Sequence, residues 1–581
     1  MKRIAWGVLA LVALLAAAAA LGIAALPRDA LKTQVAEQFS AWTGREVSMR
    51  GEPEIRFFPE PSVTLTEVTV AGPAGMAGAE ILRTEKLTGT IRILPLVLGE
   101  IDIKSFTMLR PVVTLVRDEA GRRNWVFDTG AAALQLAFAG DVPLGRFELR
   151  HGTISYDDRQ SGVAERLDDV GIVLEWPSVR GALTLSGSAV WRGEKVDFGA
   201  SAKQPFAFAN RRATAVEARV DAPSIHGRFD GQLSDIRQPQ LAGALELSTP
   251  SFRGFAGWLG SAIGPGPNLG AATLSGDAEL YQGTLSVSNA RLMLDGNRAQ
   301  GALRVGIAPR PSLAGTLAFP SLDLTPYFRE IGAAMTERQD AWRSVGLDTA
   351  WYRALEADIR LSADSVTAGP FAAGATAAAA SVRDGRFEVA IAQSAFYGGV
   401  LSGTIAVSDD PQDESFGMEA QLRANAFDLG QLIGRVNPNT TVRGRATVSA
   451  DVSTAGPNAG ELVAGLSGTG AASVEAGALP DLGMTALAAA LRNGHDLQQA
   501  HAATSPFDLL KAAIRFDDGL AAVEGTVTAG PDRAAIEGEI DLASGRLRLE
   551  GSMANDAAEA GSRFAVAGTL ADPVLRPAAT R

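Results

Sequence analysis

From Gly44 onward the hydropathy of this chain keeps a period of two. Ile91 and Ile93, Ile101 and Ile103, and Val113 and Leu115 flank Arg92, Asp102 and Thr114. The pattern returns at Phe147 and Leu149, Leu183 and Leu185, Leu245 and Leu247, Leu285 and Val287, Leu292 and Leu294, Ile359 and Leu361, Val389 and Ile391, Leu547 and Leu549, and Phe564 and Val566. Successive side chains of a strand point to opposite faces, so each run reads as a strand with one apolar and one polar side. Asp-Gly pairs at Asp230, Asp295, Asp384 and Asp518 supply the positive φ that tight hairpin turns need. An antiparallel meander follows as the expected topology, in which Arg92, Asp102, Thr114 and Ser286 face solvent.

Composition supports strands over helices. The chain has 63 glycines and an aromatic share of only 6% in 581 residues, so half-buried strands are built mostly from Leu, Val and Ala. A sheet packed on its own core usually fills space with large aromatics, and their scarcity leaves the apolar side smooth. The formal net charge of -12 is spread along the chain without a block of like charges, which argues against nucleic acid as a partner. The absence of cysteine excludes disulfides, thiolate catalysis and cysteine-ligated zinc, and it suits an oxidising compartment.

Lys2 and Arg3 precede an uncharged stretch from Ile4 to Leu26, with Trp6 near its start and Pro27 and Arg28 after it. As a helix it would reach roughly 30 Å or a little more, enough to cross a bilayer. A cleaved signal peptide with a site at Ala18 to Ala20 is the alternative, but its apolar region would be only about 7 to 15 residues long. The expectation is an uncleaved anchor over 1–27, with the N-terminus cytoplasmic and the body outside. Leu31, Val35, Phe39 and Trp42 share one helical face within 28–43, either a foot on the membrane surface or a cap on the first sheet. Apolar residues three or four apart also predict helices over Ser251 to Ile263, Pro326 to Leu355 and Asp481 to Arg492. The regions expected after the anchor are 28–200, a central 201–355, and 356–581.

Catalytic and metal-binding patterns are missing. There is no Gly-Lys pair for a phosphate loop, no GxSxG and no HExxH. His151 and His226 precede glycines at expected turns, and His495 and His501 are six apart, which does not place two ligands on one helix face. The acidic pairs Asp157 with Asp158, Asp168 with Asp169, Asp409 with Asp410 and Asp517 with Asp518 read as turn carboxylates that accept from local backbone N–H groups. A calcium site would need a spaced set of oxygen ligands beyond such pairs. No catalytic residue, metal or cofactor is expected.

Several segments resemble the AsmA family of bacterial envelope proteins, part of the wider AsmA/TamB group. They are Thr43-Gly44-Arg45-Glu46-Val47, FFPEPSVTLTEVTVAGPAG from Phe57, and the run from Ile91 to Trp125 with Gly99-Glu100-Ile101 and the signature Gly121, Arg122, Arg123, Asn124 and Trp125. Weaker likeness continues at ALEADIRLSADSVTAG from Ala354, FYGGVLSG from Phe396, the run from Thr440 and GTLADPVLRP from Gly568. The resemblance implies a mainly β fold: an elongated, curled antiparallel sheet forming an apolar groove, with short capping helices and one transmembrane helix. It also implies an inner-membrane anchor at Lys2, Arg3, Trp6 and Leu26, a periplasmic body, and movement of phospholipids in support of outer-membrane biogenesis. Partners would be the inner membrane, phospholipids and outer-membrane or envelope assembly components. Ile101, Ile103, Val113, Leu115, Leu285 and Val287 are the expected groove-lining or core positions. The alternative is a scaffold or regulator of outer-membrane protein assembly that carries no lipid.

Overall fold

Turn chemistry sets the path of the chain. Asp295-Gly296, Asp384-Gly385 and Asp518-Gly519 each have positive φ at both residues, 50° and 83°, 49° and 75°, and 44° and 77°. Two-residue hairpin turns require that conformation because its twist matches the strands it joins. Asp230-Gly231 departs from the expectation: it lies inside the strand Ile225–Ser234, with Gly231 opposite Gly243. A Cβ on Gly231 would fall 2.3 Å from the Ala242 carbonyl oxygen, so glycine here serves a close approach of two strands.

The computed structural model describes residues 47–577 apart from 57, 74–75, 77–79, 93–102, 126–144, 179, 206–211, 235–238, 261–267, 308–309, 328–354, 411–414, 437–441, 480–504, 556–561 and 570–572. Two compact units divide the chain: Met1–Thr249 with Ala278–Gln282, and Pro250–Asp277 with Gly283–Arg581. Both units are mainly β. The predicted anchor, the helix over 28–43 and the helix over Asp481 to Arg492 lie outside the described residues. Of the other two helices, Ser251 to Ile263 is observed as α1, Phe252–Trp258, capped by the Ser251 hydroxyl. Of Pro326 to Leu355 only the two ends, Pro326 and Tyr327 and then Leu355, are described.

In the first unit, strands from Gly145–Asp158 to Gln240–Thr249 pair antiparallel with their sequence neighbours. The meander is broken at Ile103–Leu109 and Val112–Arg117, both of which run parallel to Gly145–Asp158. In the second unit Ser312–Phe319 and Glu356–Ala363 are also parallel. Parallel neighbours cannot be joined by a tight turn, and long connections precede both arrangements, residues 118–144 and 320–355.

Bulges keep the apolar residues on one side. In Thr284–Leu294 the register shifts between Val287 and Ala290, with Asn289 at φ 49°. The extra residue brings Leu285 and Val287 into phase with Ala290, Leu292 and Leu294. His151 and Asp169 occupy similar bulges, at φ 54° and 48°, inside Gly145–Asp158 and Val163–Trp176. They are therefore not turn residues, and His226 likewise lies inside Ile225–Ser234.

Gly538 sits mid-strand in Asp532–Asp541 at φ 148°, where a Cβ would lie 2.2 Å from the Arg548 carbonyl oxygen. Gly538→Val is expected to destabilise the fold by more than about 1 kcal/mol, because the substituted backbone cannot adopt this conformation. Ala522→Ser on the exposed face should shift stability by less than about 0.5 kcal/mol. Urea midpoints of the two variants make the comparison.

Candidate functional site

Following cross-strand partners through the second unit exposes one unbroken apolar row. It runs from Ala290 through Gly301, Leu317, Leu361, Ala378, Ile391, Gly403 and Leu422. It continues through Ala450, Gly470, Ile514, Val523, Gly538, Leu549 and Val566. At a spacing of about 4.8 Å this row of fifteen strands extends about 65 to 70 Å. It contains no aromatic and no polar side chain. Beside it runs a second row from Val287 through Leu303, Gly315, Ile359, Ala380, Val389, Ile405, Ala420 and Val452 to Gly468.

The opposite face carries Thr316, Arg360, Ala379, Ala390, Thr404, Gln421, Asp451, Thr469, Arg515, Ala522, Glu539 and Arg548 along the neighbouring row. Ion pairs such as Arg386 to Glu419, 2.8 Å, lie on this side, and the guanidinium holds the Glu419 carboxyl below the usual carboxylate range. Two open hollows of about 990 and 780 Å³ are lined mostly by residues of this face, Arg360, Gln421, Asp451, Lys511 and Glu524 among alanines, serines and threonines, and the larger also touches Leu361, Ile391 and Leu422 of the central row. A twisted sheet is saddle-shaped, so a hollow on one face does not flatten the other.

Burial separates the centre of the apolar face from its rims. Every member of the central row except Ala290 is only half-buried. Toward one end of the strands Phe427, Ala446, Val474, Phe507, Val527, Ala534, Met553 and Phe564 form a closed cluster. The helix α2, Leu429–Val436, lays Leu429 and Leu432 against it. Toward the other end Ala521 and Leu547 are buried. There α3, Ala459–Ala464, buries Leu462, whose carbonyl accepts the Thr454 hydroxyl at 2.5 Å. The arrangement is an apolar track between two packed margins. Full burial of a Val, Leu or Ile side chain is worth about 1.5 to 3 kcal/mol, so a track left half-exposed retains a large drive to be covered.

The first unit repeats the motif. Leu65, Leu87, Met108, Leu149, Ile172, Gly187, Phe198, Val220, Gly227 and Leu247 are successive partners. Its first three members join Val47, Val68 and Val70 in a closed core, and the later ones are half-buried. The profile of the AsmA family matches residues 1–227 and 284–526, well over half of the chain and both units. The chain belongs to the AsmA family. No curated protein and no solved structure matches it.

Within this AsmA chain the signature residues serve the edge of a strand. Asn124 is fully buried; its Oδ1 accepts from Val116 N at 2.9 Å and its Nδ2 donates to the Thr114 carbonyl at 2.8 Å. The side chain thus takes the place of a neighbouring strand for the Thr114 to Val116 part of Val112–Arg117, whose first two residues pair with Leu82 and Arg83. Gly121, at φ 77°, turns the chain back, Arg122 donates to both Asp118 carboxylate oxygens, and the Trp125 ring lies 5.8 Å from that of Tyr156. Asp158 behaves as a turn carboxylate, accepting from Gln160 N and Ser161 N. Asp168 and Asp169 instead lie within a strand.

The other predicted positions divide. Lys2, Arg3, Trp6, Leu26 and Ile101 lie outside the described residues. Ile103 is opposite Ile91 in the ladder. Val113 and Leu115 stand opposite Ile154 and Tyr156 and are half-buried. Leu285 and Val287 lie on the apolar face of the second unit, Val287 buried and Leu285 half-buried. Sequence reading missed the small members of the track, Ala378, Gly403, Ala450, Gly470 and Gly538, because alanine and glycine contribute little to an alternation of hydropathy.

Asp428 fixes the helical margin. Its Oδ1 accepts from Gln431 N at 3.0 Å and Oδ2 from the Gln431 side chain at 3.0 Å, and these bonds hold the carboxyl below its usual value of 3.8. A carboxyl with a depressed folded pKa contributes stability above its unfolded pKa and loses it as pH falls through the folded value. Asp428→Ala should therefore cost about 1 kcal/mol at neutral pH, the usual effect of losing such a cap. The difference in urea midpoint from the parent should hold from about pH 7 to pH 5 and close in acid.

Proposed function

We propose that this AsmA-family chain is an inner-membrane protein with a periplasmic body, and that it holds phospholipid acyl chains along its apolar track and passes them between membranes. Family membership supports an envelope setting. Lys2 and Arg3 before the uncharged Ile4 to Leu26 stretch support the anchor and its orientation. The observation that carries the lipid reading is the central row of fifteen strands, apolar throughout and half-exposed along nearly its whole length.

An acyl chain suits such a row. Each methylene taken out of water contributes about 0.8 kcal/mol, while the headgroup stays hydrated outside the track. Successive positions carry similar small or aliphatic side chains, so no single position offers a deep minimum. A lipid would move along such a surface more readily than on one interrupted by aromatic steps. This reading uses no catalytic residue, metal, cofactor or nucleic acid, and it supports outer-membrane biogenesis and lipid homeostasis through supply of lipid.

Photo-crosslinking side chains placed at Leu422 and Ile514 should capture phospholipid in intact cells, and those at the neighbouring outward positions Gln421 and Arg515 should not. Equal yields at all four positions, or none in a protein shown to be folded and membrane-associated, would favour the lipid-free scaffold. Ile514→Asp should lower lipid capture at Leu422 without loss of folded protein, since an unpaired charge in an apolar site is strongly disfavoured.

A further inference from the structure

Among the described residues the most exposed large apolar side chain is Phe58, at 89%. A single exposed aromatic is ordinary on a protein surface, so its meaning depends on what holds it and where it stands. It lies in the turn between Glu54–Arg56 and Ser62–Ala71. After Phe58 the turn is tied to two further strands: the Pro61 carbonyl accepts from Ile91 N at 2.8 Å, and Glu60 pairs with Lys104 at 2.6 Å. Pro59 and Pro61 further limit the backbone. The ring is therefore held out in water by a braced turn.

Its place in the fold is also particular. Glu54–Arg56 pairs only with Ser62–Ala71 among the described strands, so the turn belongs to the outer edge of the first unit. The described chain begins at Val47 on that same edge, paired with Val70. Only residues 27–46 separate it from the uncharged Ile4 to Leu26 stretch. Twenty residues span about 30 Å as a helix and at most about 70 Å extended, which confines this edge to the neighbourhood of a bilayer that holds the stretch. The charged side chains before and after Phe58 in the chain are paired and well exposed, Arg56 with Glu54 and Glu60 with Lys104, as suits the headgroup layer.

Resting on the anchored reading above, we propose that the Phe58 turn is a membrane-contact element, its ring inserted into the lipid interface of the bilayer that carries the anchor. It would set the distance and tilt of the first edge strand over the membrane, so that the apolar face begins at the lipid surface. The occupant is the bilayer itself; a protein partner is the competing outcome of the test.

The chain contains no cysteine, so Phe58→Cys gives a single labelling site. The full chain, labelled there with an environment-sensitive fluorophore, is reconstituted in vesicles of phosphatidylethanolamine and phosphatidylglycerol containing a spin-labelled quencher lipid. Ser161→Cys, in the exposed turn after Gly145–Asp158, is the control. The proposal expects quenching several-fold stronger at position 58 than at 161, with a blue-shifted emission. Equal quenching at the two sites in vesicle-bound protein overturns it, as does a blue shift at 58 without lipid quenching, which would mean packing against protein. A full chain that fails to float with vesicles contradicts the anchored reading first and this proposal with it. A Phe58→Ser variant that stays anchored and folded, judged by flotation and by its urea midpoint, should show altered quenching at a second label on Glu54→Cys.

Discussion

A β-sheet with one apolar face has to place something against that face, because a single layer cannot remove it from water. Most folds solve this with a second sheet or a layer of helices. In the second unit of this chain α2, α3 and the packed clusters cover the ends of the strands and leave the middle open. Phe427, Phe507, Phe564 and α2 close one margin, and Leu462 of α3 with Ala521 and Leu547 closes the other. The central row is the part of the sheet for which side-chain packing supplies least.

The residues in that row explain why. Large aromatics reach across a sheet and fill space, and they are found at the margins, whereas the row itself alternates glycine and alanine with Leu, Ile and Val. Small residues permit the close strand approach at Gly538 and leave the surface even. The edges of the sheets are restrained at the same time. Val47–Met49 and Glu54–Arg56 are three residues long, Asn124 satisfies the open side of Val112–Arg117, and Pro573–Pro577 has prolines at both ends that cannot donate to an added strand. Short, capped or proline-bearing edges discourage pairing between molecules. Restrained edges leave the apolar face exposed without inviting self-assembly through strands.

Much of this was legible in the sequence because strand periodicity and turn chemistry are local. The alternation at Leu285 and Val287 and at Leu547 and Leu549 marks strands, and three of four Asp-Gly pairs mark turns. Asp230-Gly231 misled because glycine serves close strand approach as well as positive φ, and local sequence does not distinguish the two. His151 and Asp169 resemble turn residues in sequence for a related reason, since a bulge uses the same backbone conformation inside a strand. The parallel pairings at Gly145–Asp158 and Glu356–Ala363 depend on contacts between distant segments. The track itself was half visible: its aliphatic members stand out, but the continuity through Gly403, Ala450 and Gly470 emerges only once the register is known.

The most direct test is to see what lies on the central row. Electron cryomicroscopy of the full chain, extracted with its surrounding lipids by a styrene–maleic acid copolymer, would resolve density against Ala450, Ile514 and Val523. The account predicts unbranched, acyl-like density running across the strands along this row, with headgroup density beyond the margins. Side chains of this chain or of a second protein packed continuously over the row would contradict it.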